Sequence, residues 1–98
     1  GGHINPDGNQ HGLLNPAGYE RADMPNIYAG PDQRATAAFF NSYVRLNQGG
    51  DATAPVGPGA ILMDADGFAM VVHESPDDHN SQPIGNAGPR IACAAFRN

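Results

Sequence analysis

The rhythm of apolar and polar positions along this chain changes several times. Residues 1–26 carry neither a helical nor a strand period. Asn5-Pro6, Asp7-Gly8, His11-Gly12, Asn15-Pro16 and Ala17-Gly18 punctuate them every few residues, which is the chemistry of successive turns. Strand-like apolar content follows, first as a short candidate at Asn26-Ile27-Tyr28-Ala29. After a Gly30-Pro31-Asp32-Gln33 turn come residues 35–40 and 43–46, with Tyr43, Val44 and Leu46 the expected core contributors. Residues 48–59 read as a Gly/Pro/Asp/Ala loop. Residues 60–63 and 68–73 read as strands, and Asp66-Gly67 between them is the strongest hairpin signal in the chain. A second polar loop, 74–89, precedes a terminal strand at 91–96. There is no repeat and no convincing helix. The expectation is an all-β chain with two long loops, and structureless loops beyond about 15 residues are either functional or disordered.

Composition sharpens this picture. At 98 residues the chain makes one small domain at most. Apolar residues are 40%, but alanine dominates them, so core material is thin. Small chains of this kind lean on metals, disulfides or partners. The formal net charge is −5, with five arginines and no lysine, which excludes the clustered basic footprint of a nucleic-acid binder. No apolar run approaches the roughly 18–20 residues that span a bilayer, so no membrane segment is expected. Cys93 is the one cysteine. It pairs with another chain, pairs with a segment outside this sequence, or is a buried thiol, the last being the ordinary outcome for a lone cysteine.

Candidate chemistry sits in the two loops. His3, His11, Glu20 and Asp23 supply imidazoles and carboxylates suited to tetrahedral zinc, and a metal would order a loop that has little apolar content. The plainer reading is a set of solvated surface residues. His73 ends an apolar run and is followed by Glu74, Asp77 and Asp78; a carboxylate near a ligating imidazole commonly orients its ring. Arg90 follows the flexible turn Gly85-Asn86-Ala87-Gly88-Pro89, where it is either an anion-attracting group or an ordinary surface arginine.

Taken in order, these segments resemble one family. Gly2-His3-Ile4-Asn5-Pro6, Gln10-His11-Gly12 and Asp23-Met24-Pro25-Asn26 resemble the zinc loop of copper,zinc superoxide dismutases. Val71-Val72-His73-Glu74, Asp77-Asp78 and Gly85-Asn86-Ala87-Gly88-Pro89-Arg90-Ile91-Ala92-Cys93 resemble that family's second half. Leu13-Leu14-Asn15-Pro16 and Ser81-Gln82-Pro83-Ile84-Gly85 are closest to the bacterial, periplasmic type. The resemblance implies an immunoglobulin-like Greek-key β-sandwich or barrel. It implies a single, incomplete domain over 1–98, with 1–26 as zinc loop and 74–90 as the loop that guides the anion. It implies superoxide as substrate, with zinc and copper as cofactors. Position by position, His3 matches the imidazole bridging copper and zinc, His11 a zinc histidine, Asp23 the zinc aspartate, and His73 a copper histidine. Asp77 matches the carboxylate linking the ligands of the two metals, Arg90 the arginine that guides superoxide, and Cys93 one half of an internal disulfide. His79 matches no ligand and is expected at the surface.

Two departures accompany the resemblance. The family's third zinc histidine falls on Glu20, which either ligates zinc itself or pairs with Arg21 and leaves a weak site. The family's two other copper histidines, a His-x-His pair on an upstream strand, have no counterpart here, nor has the partner of Cys93. The expectation is therefore the C-terminal portion of a dismutase, active when the full copper site is present. The alternatives are a non-catalytic zinc- or copper-binding relative, and a half-domain completed by a partner chain or an N-terminal segment, with a homodimer as a further possibility. The resemblance also implies an exported protein, periplasmic or secreted.

Overall fold

In the computed structural model, residues 2–46, 60–63 and 65–97 are described. They are all-β, with four strands and no helix among them. Strand β1 (Val44–Arg45) pairs in parallel with β2 (Ala60–Ile61), and the ladder runs on through Leu62 N–H to Arg45 O at 2.8 Å and Met63 N–H to Leu46 O at 2.7 Å. Strand β3 (Phe68–His73) pairs antiparallel with β4 (Arg90–Phe96). Its far end is closed by stacked Phe68 and Phe96 rings with centroids 4.8 Å apart, a cross-strand aromatic pair of the kind that fixes register. At the other end the register shifts between Val72 and His73, and this bulge sets Arg90 opposite His73.

Backbone pairing does not stop at the strand ends. Glu74 N–H reaches Pro89 O at 3.0 Å, Ser75 N–H reaches Ala87 O at 2.9 Å, and Asp78 N–H reaches Gly85 O at 2.9 Å. The second loop is thus the zipped tip of one long β3–β4 hairpin. The first loop is a chain of turns, closed by Asn15 N–H to Gly12 O, Gly18 N–H to Asn15 O, Gln10 N–H to Ala17 O and Asp23 N–H to Glu20 O.

Several expected elements differ. The Asp66-Gly67 turn exists, with Gly67 at φ +78°, but it joins no hairpin: 60–61 pairs with β1 and β3 pairs with β4. The local signal loses to a six-residue ladder with an aromatic pair at its end, as tertiary context often overrides local propensity in strands. Residues 26–29 and 35–40 form no strand, and Phe40 is 94% exposed. Of the three expected core contributors Val44 is half-buried, whereas Tyr43 and Leu46 are exposed. The expected loop at 48–59 and Asp64 lie outside the described residues.

Burial is inverted relative to an ordinary domain. Among the described residues Ala87 is the one buried apolar side chain, while His11 and Glu20 are buried polar ones. Met70, Val71, Val72, Ile91 and Phe96 on the long hairpin are exposed. The buried residues among those described, His11, Gly12, Glu20, Gly85 and Ala87, all lie in the two loops.

Candidate metal centre

The first loop folds so that four side chains converge. One donor atom from each of His3, His11, Glu20 and Asp23 lies within 4.8 Å of all the others. Asp23 organises the group. Its Oδ2 accepts the backbone N–H of Gly12 at 2.9 Å and of Glu20 at 3.0 Å, while its Oδ1 lies 2.7 Å from His11 Nδ1. Glu20 Oε1 lies 2.6 Å from His3 Nδ1 and 3.5 Å from His11 Nδ1. Buried carboxylates are costly unless paired, and here each faces an imidazole. The donor set of two nitrogens and two carboxylates, with no thiol, fits zinc and other divalent ions of similar size.

The second loop holds the back of His11. Asp77 Oδ2 lies 2.7 Å from His11 Nε2, off the hydrogen-bonding direction, a close polar contact rather than an aligned bond. A ring held this way presents Nδ1 to the cluster. Burial pulls the His11 pKa down, and the charges of Asp23 and Asp77 outweigh it, so the net shift is upward. Two amides stitch the loops together. Gln82 accepts the His11 N–H at 2.8 Å and donates to His11 O at 2.6 Å. Asn26 accepts the Asp77 N–H at 2.9 Å and donates to Asp77 O at 2.9 Å. Gly12, at φ +121°, lies against the second loop where a Cβ would run into the His79 carbonyl, so the close approach requires glycine.

His73 stands apart from the four-residue group, at the end of β3. Its Nδ1–H donates to Gly88 O at 2.8 Å, which leaves Nε2 as the nitrogen with a free lone pair for a metal. Arg90 is its cross-strand neighbour.

The copper/zinc superoxide dismutase (SODC) family model matches residues 1–96. This chain belongs to that family. A superoxide dismutase [Cu-Zn] of Caulobacter vibrioides is 46% identical over 87 residues, covering 89% of this chain and 46% of that protein. Superoxide dismutase [Cu-Zn] 2 of Aquifex aeolicus is 43% identical over 96 residues, covering 98% of this chain and 52% of that protein. The crystal structure of a SOD-like protein from Bacillus subtilis superposes with a TM-score of 0.76 at 33% identity, over 97% of this chain and 58% of that one. The chain thus spans about half the length of the curated relatives it matches. Dismutases of this family are Greek-key β-sandwiches, and the all-β architecture here is part of one.

Within the dismutase frame, the structure brings His3, His11, Glu20 and Asp23 together with Asp77 behind them. Three expectations change. The alternative pairing of Glu20 with Arg21 gives way: Arg21 donates to Asp7 from Nε at 2.6 Å and from Nη2 at 2.9 Å, and the Glu20 carboxylate turns into the cluster. The turn that Asp23 N–H closes on Glu20 O at 3.0 Å sends the two side chains to different partners. His79 is not a surface residue. Its ring is partly buried, with Nδ1 3.7 Å from Asp77 Oδ2, and its carbonyl accepts the Leu14 N–H at 3.0 Å, so it packs at the loop junction. Cys93 is not a buried thiol but an exposed one, opposite Val71 in the ladder. Sequence reading missed the roles of Gln82 and Asn26. Side-chain amides carry no motif, and their reciprocal bonds to a remote backbone are visible only once the loops are placed.

Proposed function

We propose that this chain supplies the zinc loop and the anion-guiding loop of a superoxide dismutase, which in the complete domain converts superoxide to oxygen and hydrogen peroxide. The observation that carries the reading is the convergence of His3, His11, Glu20 and Asp23 at the positions of the family's zinc ligands. Zinc fits this centre. In it His3 and His11 offer Nδ1, Asp23 offers Oδ1, and Asp77 holds His11 from behind. His3 and His73 are two of the copper positions. Two imidazoles are too few for a tetragonal cupric site, so the residues of this chain do not by themselves hold copper and no redox step is derived from them. Copper in the complete domain supplies the one-electron chemistry.

Arg90, opposite His73 across the bulge, is placed to attract a small anion towards that end of the hairpin. Steering by charge weakens with salt, because the screening length falls from about 10 Å at 0.1 M to about 3 Å at 1 M. The test is superoxide decay followed by pulse radiolysis, using the intact gene product loaded with copper and zinc. A rate that falls with ionic strength, and falls again in Arg90→Ala, is the expected result. No dismutation by the copper-loaded protein would sink the reading.

A second reading is favoured by Glu20: a non-catalytic, metal-binding dismutase-like protein, which takes up metal without turnover. The exposed β3–β4 hairpin supports completion of the sandwich by a further segment, upstream or from a partner. An exported location agrees with the Cys93 disulfide that the family resemblance implies.

A further inference from the structure

We infer that Glu20 is the fourth donor of this centre and turns it into a charge-balanced site for divalent cations, one that holds the hard ion Mn²⁺ unusually well relative to Zn²⁺. The inference rests on the reading that the centre binds metal.

Glu20 is only 9% exposed, and a carboxylate at that depth needs a compensating charge. Its backbone N–H is pinned to Asp23 Oδ2 at 3.0 Å, so the two acids are built as one unit. Their inward oxygens, Asp23 Oδ1 and Glu20 Oε1, lie 2.7 Å and 3.5 Å from the same nitrogen, His11 Nδ1. Two carboxylates and two neutral imidazoles carry −2, so a divalent cation gives a neutral centre and a monovalent one leaves a buried negative charge. Family positions with three imidazoles and one carboxylate would instead leave a net +1.

Donor hardness points the same way. Half of the donor atoms are oxygen and none is sulfur. Imidazole and thiolate donors suit Zn²⁺ and copper, whereas carboxylate oxygen suits Mn²⁺. Carboxylates also bind through one or both oxygens, so Glu20 can raise the coordination number beyond the four that zinc favours.

The test compares the intact gene product with its Glu20→His and Glu20→Gln variants. Affinities for Mn²⁺, Co²⁺ and Zn²⁺ are measured by competition with a chelator, and bound metal is counted by mass spectrometry. The Mn²⁺-to-Zn²⁺ affinity ratio is expected to be at least about tenfold higher with Glu20 than with histidine at this position. Glu20→Gln is expected to weaken all three ions and to shift the visible absorption of the Co²⁺ form. Equal ratios in the wild type and Glu20→His, or a Co²⁺ spectrum unmoved by Glu20→Gln, overturn the assignment of Glu20 while leaving the metal centre standing. A wild-type protein that takes up none of these ions overturns both.

Discussion

Asp78 shows how one carboxylate can hold a loop without touching a metal. Its oxygens accept the Asn80 and Ser81 N–H groups, the Ser81 hydroxyl at 2.6 Å and the Asn86 amide at 3.1 Å. The Ser81 hydroxyl above all, with these amides, holds its pKa down at about 2. A carboxyl lowered in the folded state adds stability above its unfolded value of 3.8, and that stability is lost as pH falls from there through about 2. Urea midpoints of the wild type are therefore expected to drop across this acid window, and Asp78→Asn to flatten that part of the drop. An identical acid profile in the variant would show that Asp78 does not organise the turn. By type and spacing alone the imidazoles, the acids and Arg90 read equally as solvated surface groups, and the resemblance to the family's two loops is what singles them out. What spacing cannot give is direction. That Glu20 faces the histidines while Arg21 faces Asp7 depends on how the turn at 20–23 closes on the Asp23 carboxylate.

At the scale of elements, the two loops act through a few side-chain amides. Gln82 completes both backbone bonds of His11, as a neighbouring strand would. Removing that amide leaves the buried His11 N–H unpaired and its C=O with the Asn15 amide at 3.1 Å as its remaining donor, at a cost of about 1–3 kcal/mol. Gln82→Ala is expected to lower the melting temperature and to weaken zinc binding, though it touches none of the four donors. Unchanged zinc affinity would mean that the first loop holds its shape without the second. Strands β3 and β4 are legible because apolar runs of that length, bounded by turn residues, leave few alternatives. Their pairing is not, since Asp66-Gly67 advertises a hairpin that the longer ladder and the Phe68–Phe96 stack override. The expected strands at 43–46 and 60–63 contain the two-residue strands β1 and β2, but their parallel pairing with each other carries no local signal.

At the scale of the whole chain, the scarcity of buried apolar side chains among the described residues is the main fact. Polar contacts at the loop junction hold the most buried residues, while the long hairpin leaves its apolar side chains open to water. Thin core material was apparent from the alanine-rich composition; that His11 and Glu20 would be the buried side chains beside Ala87 among the described residues was not, because composition says nothing about place. Exposure of Cys93 gives a direct probe of the proposed completion of the sandwich by a further segment. In the 98-residue chain alone, a maleimide is expected to label Cys93 readily. In the intact gene product the same thiol is expected to be covered or oxidised, and labelling to fall by at least about tenfold. Equal labelling of the two would argue that nothing packs over this face.

The reciprocal bonds of Gln82 with His11, and of Asn26 with Asp77, carry a lesson for inheritance. Each pair has one member in either loop, so neither loop can drift alone without stranding a partner in the other. Grafting one loop from a relative into this chain should fail where grafting both succeeds. The pair is the unit that recombination can move, and a chimera library scored for soluble, metal-loaded protein would find its tolerated crossovers outside 11–82.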